Sequence, residues 1–169
     1  MPTALIVGAS RGLGLGLTEQ FSARGWNVIA TARDPAKAQA LTELAAKSGG
    51  RVTCEKLDIE NMRDAEALHE KLAGQTLDVL FINAAHYGTH GKTLRQYTKE
   101  ETASVYFTNV VCTVRTADIL VDRVRSQTGV VAFMTSGLGS IGLMIPGRGP
   151  AEDLYRGSKA AIDRKSTRL

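Results

Sequence analysis

The sequence predicts a doubly wound α/β domain: a parallel sheet with helices on both faces, strand order 3-2-1-4-5 and the first strand central. Two observations carry this. Five short apolar runs alternate with stretches of helical spacing along the whole chain, a rhythm that calls for right-handed crossovers. The first run also ends in a glycine cluster, GASRGLG, at the point where a strand should turn into a helix.

The elements follow in order. TALIVGA (3–9) is a short buried run ending near glycine. LGLGLTEQFSARG (13–25) has helical spacing, with Leu13, Leu17 and Phe21 as its apolar stripe and Gly25 as its stop. NVIATAR (27–33) is the second strand. The next helix opens with Asp34 as N-cap and Pro35 at the first helical position, and ends at Gly49. RVTCEKLD (51–58) is the third strand, and Asn61 caps a helix running to about Ala73. LDVLFIN (77–83) is nearly continuous in apolar residues, as a strand buried on both faces should be. Thr98 and Glu101 form a capping box that opens one long helix to about Ser126. GVVAFMTS (129–136) is the fifth strand, and AEDLYRGSKAAID (151–163) a last helix. Between them, 137–152 is the one long irregular segment, a length more often functional than idle.

Bulk properties narrow the classes. With 169 residues, 43% hydrophobic and 22% charged, the chain suits a single globular domain over 1–169. Of the net charge of +4, the last seven residues supply three positive charges and one negative. No basic stripe with interleaved aromatics remains, which argues against nucleic acid. The two cysteines, Cys54 and Cys112, lie in apolar stretches without metal-ligand spacing, so no metal is expected and a reducing compartment suits them. No apolar run reaches membrane-spanning length, and the N-terminus enters a strand directly, without the pattern of a cleaved leader. A cytoplasmic location is the expectation.

Two short patterns carry chemistry. Gly8, Gly12 and Gly14, spaced G-x3-G-x-G, would let the backbone turn tightly and bring a pyrophosphate against the helix N-terminus. The competing reading is an ordinary glycine-rich turn. Near the other end, YRGSK places Tyr155 and Lys159 one helical turn apart on one face. A free tyrosine titrates near 10, too high for acid–base work at neutral pH, and a nearby ammonium would favour its phenolate. By itself the pair is also compatible with two surface residues on a short helix.

Taken together, six features make the sequence resemble the short-chain dehydrogenase/reductase family, nearest in flavour to its C-factor and carbonyl-reductase-like members. They are GASRGLG, Asp58 in LDIEN, INAAH with Asn83 and Ala84, Asn109 in YFTNVV, Ser136 in MTSGLGS, and YRGSK, in that order. The resemblance covers essentially the whole chain and implies a Rossmann-like fold and an NADP(H)-dependent oxidoreductase acting on a small-molecule carbonyl or secondary alcohol. It implies catalytic roles as follows. Tyr155 gives or takes the proton at the substrate oxygen, and Ser136 orients that oxygen. Lys159 holds the nicotinamide ribose and lowers the tyrosine pKa, and Asn109 holds a water that relays protons to Lys159. Ser10 and Leu13 join Gly8, Gly12, Gly14, Asn83 and Ala84 around the cofactor. Asp58 would accept from the adenine amino group, or else cap the helix near Asn61.

Cofactor choice turns on the end of the second strand, where a carboxylate suits NAD(H) and a cation suits NADP(H). Arg33 is free to face a 2′-phosphate if Asp34 is occupied as a helix cap, and Arg11 adds a second cation. This predicts NADP(H) over NAD(H), against the reading of both arginines as solvated surface charge.

The match departs from the family in places. Ala85 stands where the family has glycine, and Cys112 where a glycine often follows the asparagine. The interval from Ser136 to Tyr155 is long, which marks 137–152 as an insertion beside the substrate pocket. The tail RKSTRL is unlike family sequence, and the family's later strands and substrate-covering helices have no counterpart. The expectation is a chain incomplete at its C-terminus, with an exposed fifth strand. A non-catalytic nucleotide-binding module, or an inactive remnant, is therefore the alternative function. A sugar-nucleotide epimerase of the extended branch is disfavoured by the glycine spacing. Association into a homo-oligomer is left open.

Overall fold

In the computed structural model the described residues are 1–142 and 152–166, with side chains described to 163. Five strands, β1 (Thr3–Val7), β2 (Asn27–Ala32), β3 (Val52–Lys56), β4 (Val79–Ile82) and β5 (Val130–Phe133), form one sheet of order β3-β2-β1-β4-β5. Every pairing is parallel, with Leu5 opposite Ile29 on one side and Leu80 on the other. The predicted doubly wound topology is the observed one.

Strand alternation sorts the core into two layers. Leu5, Val7, Leu80 and Ile82 pack with Leu68 of α3 (Met62–Lys71) and with Ala117 and Leu120 of α5 (Thr113–Leu120). Ala4, Ile6, Val28 and Ala30 face the other way. They meet Leu41 of α2 (Gln39–Lys47) and Leu15 and Phe21 of α1 (Gly12–Ala23).

The packing of α1 corrects the predicted stripe. Leu13 is 68% exposed, whereas Gly14, Thr18 and Ser22, four residues apart, are buried. The reason is size: at Gly14 there is no room for a Cβ beside Asn83 and Ala9, so small residues on this face let the helix approach closely. Thr18 hides its hydroxyl by donating to the Gly14 carbonyl at 2.9 Å.

Two further expectations are revised. Asp34 makes no side-chain capping bond; it pairs with Lys37 at 3.1 Å, and Pro35–Lys37 is a single 3₁₀ turn ahead of α2. The long helix predicted from Thr98 is continuous over 99–120 but is not regular α-helix throughout. The capping box is present, with Thr98 Oγ1 accepting from the Glu101 amide and Glu101 Oε2 from the Thr98 amide. It starts α4 (Lys99–Tyr106), and a π-helical segment, Phe107–Cys112, then separates α4 from α5.

At the far end of the molecule Asp78 ties the sheet together. Its carboxylate accepts from the Thr3 amide at 2.8 Å and from Arg125 Nε at 2.9 Å, joining the start of β1 to the lead-in of β5. The Thr3 amide first, and Arg125 second, hold this carboxyl below the usual range. A depressed folded-state pKa gives stability that is fully present above the unfolded pKa, about 3.9, and is lost as pH falls through the folded value. Asp78→Asn should therefore lower stability at neutral pH and flatten the acid limb below about pH 4 in urea melts run across pH. An unchanged acid limb would contradict the assignment.

Candidate functional site

The carboxyl ends of β1, β4 and β5 converge where doubly wound sheets bind ligands. The glycine turn leaves β1 here. Gly8 has φ +84°, and a Cβ on it would come within 2.8 Å of Ala84 at the end of β4. A Cβ on Gly14 would run into the Gly8 carbonyl oxygen and lie 2.7 Å from Asn83 Nδ2. Both glycines are thus required by the protein's own packing. Gly12, with φ +58°, faces open space instead. Asn83 donates from Nδ2 to the Gly8 carbonyl at 2.8 Å, and the amides of Asn83 and Ala84 donate to Val7 O at 2.9 Å. Positive φ among the described residues is confined to glycine, so Ala85, at the place of the family's glycine, is not in the left-handed region.

Helix α1 begins at this turn with an exposed N-terminus. Arg11, its N-cap, offers no capping bond, and the first turn holds no acidic residue. By contrast α3 and α4 are both side-chain capped and carry acidic residues in their first turns. The amides of α1 and its positive dipole end suit an anion. Ser10 is half-buried beside them, while Arg11, Leu13 and Arg33 are exposed. Asp58, after β3, is half-buried, and its Oδ1 accepts from the Glu60 amide at 3.1 Å. The local turn therefore uses one carboxylate oxygen.

On α6 (Asp153–Ser166), Leu154, Ser158 and Ile162 form the buried stripe. Tyr155 and Lys159 stand beside it, the Lys159 ammonium 5.6 Å from the centre of the Tyr155 ring. Lys159 is 3% exposed and donates to the Met134 carbonyl at 2.7 Å, which anchors α6 to the end of β5. Burial pushes its pKa down, partly countered by Asp163. Burial also pushes the Tyr155 phenol up, the opposite of the lowering expected from Lys159. The lysine ammonium is engaged by a main-chain carbonyl.

Ser136 follows β5 and accepts from the Leu138 amide at 3.2 Å, opening the 3₁₀ turn Gly137–Gly139. That turn lies against α6: a Cβ on Gly139 would come within 2.9 Å of Lys159 and Ala160 backbone. Of the expected insertion at 137–152, residues 143–151 lie outside the described ones.

Asn109 sits in the π-helical segment and is 1% exposed. Its Oδ1 accepts from the His86 amide at 2.7 Å, and its Nδ2 donates to the His86 carbonyl at 2.8 Å and to Ser158 Oγ at 2.9 Å. Both amide protons are thus committed to protein groups. Sequence reasoning missed Tyr87, whose ring stacks on Tyr155 with centroids 4.4 Å apart. No motif marks it; only the fold brings the two rings together.

Comparison with known proteins agrees with this architecture. The short chain dehydrogenase family profile matches residues 2–168. A carbonyl reductase from Pseudomonas aeruginosa PAO1, also solved in complex with NADP, is 38% identical with a TM-score of 0.90. It is matched over 98% of this chain and 74% or 73% of its own. A short-chain dehydrogenase/reductase from Burkholderia multivorans with bound NADP is 34% identical with a TM-score of 0.89, over 97% of this chain and 70% of its own. A very-long-chain 3-oxoacyl-CoA reductase from Pyricularia oryzae is 29% identical over 98% of this chain and 50% of its own length. The chain spans about half to three-fifths of the curated relatives it matches. It belongs to the short-chain dehydrogenase/reductase family, and its fold is close to that of the carbonyl reductases.

Among the described residues no group of three or more His, Cys, Asp and Glu could hold a metal ion, and no helix is long and apolar enough to cross a membrane. Replacing Asn109 by Ala should orphan the His86 amide and carbonyl and cost on the order of 3 kcal/mol, read from denaturant midpoints. A loss below about 1 kcal/mol would show that these bonds do not hold the loop.

Proposed function

We propose that residues 1–169 form one cofactor-binding domain of an NADP(H)-dependent oxidoreductase that interconverts a small carbonyl compound and its secondary alcohol. The observation that carries this reading is the Tyr155–Lys159 pair at the end of β5, in a family member whose glycine turn ends in an uncapped helix. The cofactor fits the residues present. Gly12 leaves open space at the turn, and α1 offers free first-turn amides to a pyrophosphate, flanked by Ser10 and Leu13. Gly8, Gly14, Asn83 and Ala84 hold the turn in shape. Asp58 has a carboxylate oxygen beyond its local bond for an adenine amino group. Arg33 and Arg11 supply cations for a 2′-phosphate, while the Asp34 carboxylate is paired with Lys37.

NADP(H), when bound, supplies or takes the hydride. The protein's part is protonic and positional. Tyr155 donates its phenolic proton to the carbonyl oxygen as charge develops there, and Ser136 Oγ orients that oxygen. Lys159 leaves or shares the Met134 carbonyl to hold the ribose hydroxyls. An ammonium beside the phenol counters the upward push of burial on Tyr155. Because both Asn109 amide protons are committed, its part in a proton relay falls to Oδ1 or to its backbone carbonyl. A cytosolic location suits the two free thiols.

A second reading is a nucleotide-binding module without turnover. It is favoured by the Lys159–Met134 bond, which already engages the ammonium with a main-chain carbonyl. Turnover of NADPH with a panel of aldehydes and ketones separates the two. For the enzyme, Tyr155→Phe should lower kcat by roughly 10²–10⁴-fold with NADPH affinity kept. NADPH binding without turnover on any substrate would favour the module.

Cofactor choice is tested separately by calorimetric titration. NADPH should bind more tightly than NADH, and Arg33→Asp should weaken NADPH by about tenfold to a hundredfold, the value of a charge-assisted phosphate contact. Equal affinities in the wild type would refute the assignment.

A further inference from the structure

The loop after β4 is held at two points by side chains from outside it. At His86 both backbone groups bond the Asn109 amide. At Thr89 both bond the hydroxyl of Tyr97, which accepts from the Thr89 amide at 3.1 Å and donates to its carbonyl at 2.8 Å. Gly88, with φ +85°, turns the chain between them, and a Cβ there would lie 3.0 Å from that same hydroxyl. Lys92, paired with Glu101 of α4, secures the loop beyond. Two clamps three residues apart leave little freedom to Tyr87. Its ring stacks on Tyr155 at 4.4 Å and 28°, and on His90 at 4.4 Å and 22°.

We infer that Tyr87 is a positioning residue: the clamped loop sets its ring against Tyr155 and so fixes the orientation of the proton-donating phenol. The inference rests on the proposed role of Tyr155. A phenol that must meet a substrate oxygen gains from a fixed ring plane, because a small misplacement of a catalytic group costs much of its effect. The Lys159 ammonium near the ring restrains it further. Asn109 couples the two sides, since it holds the His86 backbone and also Ser158, whose hydroxyl donates to the Tyr155 carbonyl at 2.7 Å. The same amide therefore sets both the loop that carries Tyr87 and the helix that carries Tyr155.

The test is tetranitromethane nitration of the full chain, followed residue by residue by peptide mass. Tyr155 is the sole tyrosine between Arg148 and Arg156, so its tryptic peptide reports it alone. Its rate should be slow in the wild type and in Tyr87→Phe, which keeps the stack. In Tyr87→Leu it should rise about two- to tenfold, the factor that the strength of an aromatic pair sets, while nitration of Tyr106 stays constant. Tyr97→Phe, which removes the Thr89 clamp, should move Tyr155 in the same direction, and it decides the matter if Tyr87→Leu does not fold. Unchanged Tyr155 rates in the folded variants overturn the inference. In turnover assays Tyr87→Leu should lower kcat with KM for NADPH unchanged, and Tyr87→Phe should retain activity. If Tyr155→Phe keeps full activity, the proposed function fails, and the nitration rates still judge the stack.

Discussion

A single buried amide organises the carboxyl end of the sheet. Asn109 is taken almost wholly out of water, so its polar atoms must find protein partners or cost stability. It finds them on two separate segments: the backbone of His86 in the loop after β4, and Ser158 in α6. Loop, π-helical segment and α6 are thereby held in one arrangement. The π turn itself is reinforced by Thr113, whose hydroxyl donates to the Thr108 carbonyl five residues back. Such turns are uncommon and cluster at functional sites. Here the wider turn lies where α4 would otherwise run unbroken into α5.

The glycine turn obeys a different constraint, that of close approach. Gly8 abuts Ala84, Gly14 abuts the Gly8 carbonyl and Asn83, and α1 lies on the sheet through Gly14, Thr18 and Ser22. Side chains are excluded from this corner so that backbone amides can be presented there. The same economy recurs at the other end of the site. Gly139 lets the Ser136 turn touch the backbone of α6, and Gly157 admits the Tyr106 hydroxyl against the same helix. These glycines act through contact: neither has the positive φ seen at Gly8.

Electrostatics at the pair run against the simplest expectation. Lys159 and Tyr155 are both disfavoured in their charged forms by burial, and the lysine is satisfied by a main-chain carbonyl. Burial thus works against charge on both groups of the pair. At the sheet edge β5 pairs with β4 alone among the described residues, and Val130 is 52% exposed.

Local pattern determined the five strands, the capping box at Thr98, the Asn61 cap and the glycine turn, while the residues grouped around that turn and α6 were legible through the family resemblance. Periodicity, caps and glycine spacing are properties of near neighbours, and they are written into short windows of sequence. Tertiary structure decided the rest. Of the expected α1 stripe Leu13, Leu17 and Phe21, Phe21 packs against the core, but Leu13 is exposed and the buried residues are Gly14, Thr18 and Ser22. Asp34 had the position of a cap but went to Lys37, because a 3₁₀ turn precedes α2. The π segment at Asn109 carries no local signal of its own, since its register follows from partners on the β4 loop and α6. Tyr87 reaches Tyr155 across 68 positions of chain. A contact of that range is made by the crossovers that bring β4 and β5 together, and no window of sequence around either tyrosine contains it.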